Sequence, residues 1–468
     1  MESHRGLIEA LWGRVGGQVP LSELPESFRH CLAEGDGLAD HYGGRTPFLF
    51  AAQKADRVLV LEQHGRDAHV SEVLNCTGGY GTGILGSQVA VLEPELREAL
   101  ASCATANDEF HAVERYELVK QLRRLVAAQT GTSAEDWELS FTSSGTEAMD
   151  LAMQLMLLDG FDLGTGQSTR AHKDTLIACH GAWHGWGMNP NQLLDRRQFT
   201  EGLPRIPQAP VAFMRYGDEA SLREVFERHR GRIRGVFIEG ILGDGGVVRA
   251  SDSWWKLLFE LAAAEDAKIV DDEILTGFRC GRFLAIPEHR APDCVTLGKA
   301  LGLGLFPLSA VMWRKGRLKL RPGIGVRTFN ARPFQARVVS AGLAMIERQG
   351  LFERAREVGE RVMGRLQAVV GDHPTVFKAA RGMGFFFGLE LAGGYARKGH
   401  AVRNALLRHG VLTEVESGLL GRQVPKEARI NETIRVTPPL GMIDSDLDEL
   451  VTRVARGASA LASGGPAA

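Results

Sequence analysis

Two rhythms of apolar positions alternate along the chain. WELSFT (137–142), DTLIAC (174–179), VAFMRY (211–216), GVFIEG (235–240), KIVDDE (268–273), CVTLGK (294–299) and LSAVMW (308–313) are short apolar or β-branched runs, several of them separated by segments with helical spacing. Short buried strands alternating with helices predict a mostly parallel sheet covered on both faces, an α/β architecture whose ligands sit at the carboxyl ends of the strands. Upstream, a helical lead-in precedes a strand at VLVLE (58–62) and a turn at QHGRD (63–67); helices are expected over 94–110 and, amphipathic and ending at Gly131, over 111–131. Beyond residue 335 a long helix is expected from Phe334 to Gln349, continuing through 351–370. FFFGLEL (385–391), a helix at 400–410 and TIRVTPPLG (433–441) follow, a pattern that suits a smaller α+β domain. The expected division is an N-terminal segment 1–90 joining the small domain, a large domain 91–335 and a C-terminal small domain 336–468. The tail SALASGGPAA (459–468) is small-residue chain expected to fray.

Composition narrows the class of partner. The 468 residues carry 55 Lys+Arg against 57 Asp+Glu, so no electrostatic grip on nucleic acid or an anionic membrane is expected. No apolar run approaches a membrane span, and the N-terminus reads as neither signal nor anchor, which points to the cytoplasm. Six cysteines without a CxxC pair suggest reduced thiols rather than a disulfide framework or a zinc site. Glycine is in excess, 56 residues or about 12% against a usual 7%.

Three places carry chemistry. Ser143-Ser144-Gly145-Thr146-Glu147-Ala148 joins a strand to a helix, and such a helix N-terminus is either an anion site or a plain cap. Asp272, in VDDEILTGFRCGR, ends a buried strand, where a carboxylate needs a cation, a metal or hydrogen-bond donors, unless it caps the residues that follow. Asp271, Asp272 and Glu273 point to alternating faces and do not make a metal set. Lys299 lies in TLGKALGLGLFPLSA, glycine-rich and nearly uncharged; apolar surroundings lower an amine's pKa and free it as a nucleophile, whereas a surface lysine would do nothing. Gly298-Lys299 is followed by Ala300, against a nucleotide P-loop. His180 and His184 have zinc-helix spacing, but Gly181 and Gly185 oppose a helix and no metal is expected. The basic run RHRGRIR (228–234) reads as a solvated helix end.

SSGTEA, GAWHGW (181–186), FIEGILGDGGVV, VDDEILTGFR, TLGKALGLGLFP, RTFNARP and IRVTPPL follow one another in the order seen in class III aminotransferases, so the chain from about 78 to 440 resembles that family of fold-type-I pyridoxal-phosphate enzymes. DEILTGFR and the Trp-His-Gly segment are similar to the glutamate-1-semialdehyde aminomutase branch. The resemblance implies a seven-stranded-type large domain with a smaller domain beside it, and pyridoxal 5'-phosphate as cofactor. It implies that Lys299 and Asp272 are catalytic, the lysine taking the cofactor aldehyde and the aspartate the ring nitrogen. Ser144, Gly145 and Thr146 would hold the phosphate, Trp183 would stack on the ring, and His184, Glu239 and Ile274 would line the site. Thr328 would reach the phosphate of a second subunit, making the enzyme a homodimer with interfacial sites.

On the substrate side the resemblance points to Tyr80, Asp244 and Arg435. Asp244 stands where relatives carry a glutamate that gates the arginine; the shorter arm leaves either a gate or a structural salt bridge. Leu275, Ser87 and Gly240 depart from the common pattern. The activity implied is transfer of an amino group from an amine donor to an oxo acid, aldehyde or ketone. An aminomutase or an amino-acid racemase or epimerase could be built on the same residues, and a non-catalytic regulator of this fold would be expected to lose the lysine, the aspartate or the phosphate turn, all of which are present.

Overall fold

A computed structural model describes residues 2–39, 46–103, 105–196, 209–420 and 424–464. A seven-stranded sheet forms its centre, in the order Trp137–Thr142, Ser309–Arg314, Cys294–Leu297, Lys268–Asp272, Ile233–Glu239, Thr175–Cys179, Val211–Met214. Only Ser309–Arg314 runs antiparallel to its neighbours, so six strands point one way. Every residue of Thr175–Cys179, Ile233–Glu239, Lys268–Asp272 and Cys294–Leu297 is buried, as expected of parallel strands covered on both faces. The loops at 180–187, 240–246, 273–278 and 298–304 leave the carboxyl ends of these strands, and the helix Gly145–Leu158 starts from the same edge.

Besides a two-stranded ribbon, Phe161–Asp162 with Gln167–Ser168, two smaller sheets accompany the central one. Gln18–Pro20, Phe48–Lys54, Arg57–His64 and Asp67–Asn75 form an antiparallel sheet, and Asp67–Asn75 also takes Val411–Leu412 as a parallel partner, which ties residues far apart in the chain. Phe377–Met383, Phe386–Leu391, Thr433–Val436 and Glu414–Glu416 form the other, all antiparallel.

Four expectations change. The helix over 94–110 stops at Ser102, where Cys103 turns extended (ψ 133°). The long helix after 334 is two, Pro333–Arg348 and Leu351–Asp372, broken where Gly350 turns left-handed (φ 58°). The tail does not fray from 459: the last helix runs Asp444–Ala462 with Leu461 buried, and 465–468 lie outside the described residues. Arg234, at the end of the basic run, is not solvated. It is 6% exposed and donates to the carbonyls of Met156, Leu157 and Asp159, closing the carboxyl end of the helix Gly145–Leu158, and to those of Arg170 and Lys173. Its side chain fills a place that water would fill at an exposed helix end.

Candidate active site

The phosphate-turn candidate is a helix N-terminus built by its own sequence. Ser144 is extended (φ -145°, ψ 156°) and its hydroxyl accepts from the Glu147 N–H, while the Glu147 carboxylate accepts from the Ser143 N–H. The N–H groups of Gly145 and Thr146 belong to the first turn, which has no intrahelical acceptors. Gly145 is required by contact: a Cβ there would lie 2.8 Å from Ile274 Cγ2. Ile274 also faces Gly298, so one side chain joins the helix N-terminus to the lysine loop.

The Trp-His-Gly loop closes on the same turn. Gly185 has φ 103°, and a Cβ on it would stand 2.7 Å from Thr146 Oγ1 and 3.1 Å from Thr146 Cα. Trp183 and Trp186 meet edge to face with ring centres 4.8 Å apart. Glu239 fixes the loop from beneath: one carboxylate oxygen accepts from the Trp183 N–H (2.9 Å) and the other from the Gly243 N–H (3.0 Å). Burial, the largest cause, pushes the Glu239 carboxyl up to about 7. Glu239 is therefore a positioning residue, bracing the loop rather than facing outward.

Asp272 ends its strand among donors. Oδ1 accepts from the Ile274 N–H (3.1 Å) and the Thr296 hydroxyl (3.2 Å), and Oδ2 lies 2.8 Å from His184 Nδ1. A carboxylate has about four acceptor positions, so three donors leave room for one more. His184 is fully buried and its Nε2 finds no hydrogen-bond partner among the described residues. His180 pairs with Asp195 and stacks on Phe213, so both histidines of the zinc-like spacing are engaged with protein groups.

Lys299 begins a short 3-10 turn in a strained left-handed conformation (φ 40°). Its pKa is lowered to about 8, first by burial and then by Arg435, against the opposing pull of Asp272 and Glu416. More of the amine is then unprotonated at neutral pH than for a lysine at its ordinary 10.5. The glycine-rich N-terminal loop packs against this turn, a Cβ on Gly304 lying 3.0 Å from Gly83 Cα. Arg279, to which the sequence reading gave no role, is 1% exposed, donates to the carbonyls of Leu275 and Gly81, and so ties the Tyr80 loop to the lysine pocket. Its place inside VDDEILTGFR was the available signal.

The substrate-side pair is rearranged. Arg435 and Asp244 do not form an ion pair with each other. Asp244 pairs with Arg196 and accepts from the backbone N–H of Ser417 (3.3 Å), while Arg435 lies between Glu414 and Glu416. The reason is register: Glu414 is directly opposite Arg435 in the sheet, and Glu416, two residues on, shares its face. Tyr80 is mostly exposed, with φ 57°, and its N–H donates to Glu414 Oε1 (2.9 Å). Glu414, Glu416 and Arg196 were missed; the alternation Thr-Glu-Val-Glu beside the arginine strand was a signal for the first two, and Arg196 had none. Thr328 is exposed at the edge of the site, on a loop whose Phe329 carbonyl accepts from the Ser143 hydroxyl (3.5 Å).

A helix N-terminus, a buried carboxylate and an amine of lowered pKa converge at the carboxyl edge of the central sheet, the arrangement expected of a pyridoxal-phosphate-dependent enzyme. The sequence pattern of the family "Aminotransferase class-III" is matched over residues 43–457, and the chain belongs to that family. It is an aminotransferase that uses pyridoxal phosphate. It is 28% identical over 366 residues to a mitochondrial ornithine aminotransferase of Oryza sativa subsp. japonica, covering 77% of this chain and 71% of that one. It is 26% identical over 442 residues to the diaminobutyrate–2-oxoglutarate aminotransferase of Rhizobium meliloti (strain 1021), covering 86% of each. In fold it is similar to the ornithine aminotransferase of Toxoplasma gondii ME49, with TM-score 0.77, 21% identity and coverage of 95% and 97%. Among the described residues no helix is long and apolar enough to cross a membrane.

Proposed function

We propose that this enzyme takes the terminal amine of a diamino acid as donor and passes the amino group to a 2-oxo dicarboxylic acid, working as a cytoplasmic homodimer with a site at each end of the subunit interface. The observation that carries the donor class is the state of Arg435. Occupied by two carboxylates, it offers little to an α-carboxylate beside the reacting carbon, so an amine on a carbon without one is favoured. Relatives named for ornithine and for diaminobutyrate with 2-oxoglutarate support the same pairing.

Bound pyridoxal phosphate supplies an electrophilic aldehyde and a ring that accepts electrons. Ser144, Gly145 and Thr146 would hold its phosphate at the helix N-terminus, and Thr328 of a second subunit would complete that contact. Asp272, oriented by His184, Thr296 and the Ile274 N–H, holds a proton at the ring nitrogen through its remaining acceptor position. Trp183, its backbone fixed by Glu239, would cover the ring face and exclude water. Lys299 would hold the cofactor through its aldehyde carbon and, when its amine is free, would be the base that takes a proton from the substrate carbon. Tyr80, Asp244 and Arg435 line the substrate side. The sheet pairing of Asp67–Asn75 with Val411–Leu412 supports grouping residues 1–90 with 336–468 around a large domain 91–335. Six unpaired cysteines support the cytoplasm.

A donor panel tests the reading. Ornithine or 2,4-diaminobutyrate is expected to bleach the visible band of the bound cofactor and release an aldehyde, and 2-oxoglutarate to restore the band. Bleaching by α-amino acids alone would overturn the donor class. Return of the band with a rearranged or inverted amine and no oxo product would make the enzyme a mutase or racemase.

A further inference from the structure

Asp271 has no part in the site as described, yet it lies one residue from Asp272. Successive residues of a strand face opposite ways, so Asp271 and Glu273 share the face turned away from Asp272. Glu273 continues the pairing, its N–H donating to the Thr296 carbonyl (3.0 Å). Ile238 and Val295 stand opposite Asp271 in the two neighbouring strands, so apolar side chains flank it. Asp271 is 0% exposed and Glu273 1%. Neither carboxyl oxygen of Asp271 finds a hydrogen-bond donor among the described residues. Glu273 is the opposite case. Its carboxylate accepts from the Thr276 hydroxyl, the Ile286 N–H (2.9 Å) and the Ala285 N–H, and it is in hydrogen-bonding contact with the Asp271 side chain.

A buried carboxylate without a donor is costly, and two carboxyl groups meet in a hydrogen bond only with a proton between them. A carboxylate has about four acceptor positions, so the three donors on Glu273 leave one for the Asp271 O–H. The distribution of donors therefore puts the proton on Asp271 and the charge on Glu273. We infer that Asp271 is a positioning residue of the amine-transfer site: its protonated carboxyl donates to Glu273, completes the clamp on the loop 274–286 and leaves a single negative charge behind Asp272. That loop carries Ile274, which faces Gly145 and Gly298, and Arg279, which holds the Gly81 carbonyl, so its placement sets the walls of the cofactor pocket. The surrounding charges agree. Burial, then the charges of Glu273, Asp272 and Glu239, hold the Asp271 carboxyl well above the usual carboxylate range. Tyr216 gives its hydroxyl to the Gly240 carbonyl (2.8 Å), and burial keeps it and Cys294 neutral; Arg282 is the cation that acts on Glu273.

The inference rests on the reading of Asp272 as the ring-nitrogen partner, and its test has one arm that does not. Infrared difference spectra of the holoenzyme, natural minus Asp271→Asn, are taken well above the values of about 7 held by Glu239 and Glu273. They are expected to show the carbonyl stretch of one protonated carboxyl, present in the natural enzyme and lost in the variant. The second arm follows the pH midpoint of the bound cofactor's visible band. Asp271→Asn keeps a donor on Glu273 and is expected to leave that midpoint unchanged. Asp271→Leu removes the donor, so Glu273 takes up a proton, the charge behind Asp272 is lost and the midpoint falls by about one pH unit. Asn is isosteric with the natural residue, so its two readings decide the proton's place even where Asp271→Leu does not fold. No carboxyl band in the difference spectrum, or a midpoint lowered in Asp271→Asn as far as in Asp271→Leu, would overturn the inference, as would a natural midpoint in a folded Asp271→Leu. A natural midpoint in Asp272→Asn would instead count against Asp272 as the ring-nitrogen partner and leave the infrared result standing.

Discussion

Gly185 is the point at which one methyl group tests the architecture of the site. Its φ of 103° is a conformation that side-chain-bearing residues rarely adopt, and a Cβ would press into Thr146 at 2.7 Å from Oγ1 and 3.1 Å from Cα. Thr146 is in the first turn of the helix Gly145–Leu158 and cannot retreat without moving that turn. The backbone term in Gly185→Ala is about 1–2 kcal/mol, and forced overpacking adds about 1–3 kcal/mol. The sum, about 2–5 kcal/mol, is expressed either as lost stability if the loop holds its place or as lost cofactor affinity if it lifts away from the helix. Glu239 and the His184–Asp272 contact hold the loop from below, on the side away from Thr146, so lifting is the expected outcome. Cofactor titration of the apo-protein, followed by quenching of tryptophan fluorescence, should then show a Kd raised by roughly 30-fold or more, the equivalent of 2 kcal/mol. Gly231→Ala is the control: φ is 75° there with no atom within 4 Å, so it carries the backbone term alone and should leave cofactor binding unchanged. Gly185→Ala with natural cofactor affinity and a natural denaturation midpoint would refute the proposed packing of the Trp-His-Gly loop on that helix.

Two further predictions address stability. Burial holds the Glu239 and Glu273 carboxyls at about 7, above their ordinary 4.5, so the folded chain binds protons that the unfolded chain has released between those values, and stability falls as pH rises through that window. Each shift corresponds to about 3 kcal/mol; urea midpoints of the apo-protein should be higher at pH 5.5 than at pH 8, Glu273→Gln should flatten the slope, and an unchanged slope would count against these assignments. Arg234→Ala removes the donor that closes the carboxyl end of the helix Gly145–Leu158 and leaves buried carbonyls unpaired, which should lower stability by about 3 kcal/mol or more. The KM for donor should be unaffected, because Arg234 lies at the opposite end of that helix from Ser144.

The order of the elements was legible because buried parallel strands write themselves as short apolar runs, and the positions of the Ser144 helix N-terminus, Asp272 and Lys299 at the carboxyl edge were legible because each breaks the apolar pattern where a strand ends. Breaks inside helices were less so: nothing in the spacing marks Gly350 as left-handed rather than helical. Arg234 was misread because a basic run looks solvated until the carbonyls it closes are known. The substrate side was hardest. Asp244 and Arg435 were picked out as a pair by resemblance, but which carboxylate meets an arginine is set by cross-strand register and by a loop arriving from residue 196, and neither is written locally in the sequence.

The central claim is that Lys299 is the amine through which this chain uses its cofactor, and borohydride reduction of the holoenzyme followed by peptide mass mapping tests it most directly. The reduced cofactor should be found attached to the peptide containing Lys299, with Lys299→Ala carrying none and showing no amino transfer. Attachment at a different lysine, or a Lys299→Ala protein that still binds cofactor covalently and transfers amine, would contradict the account.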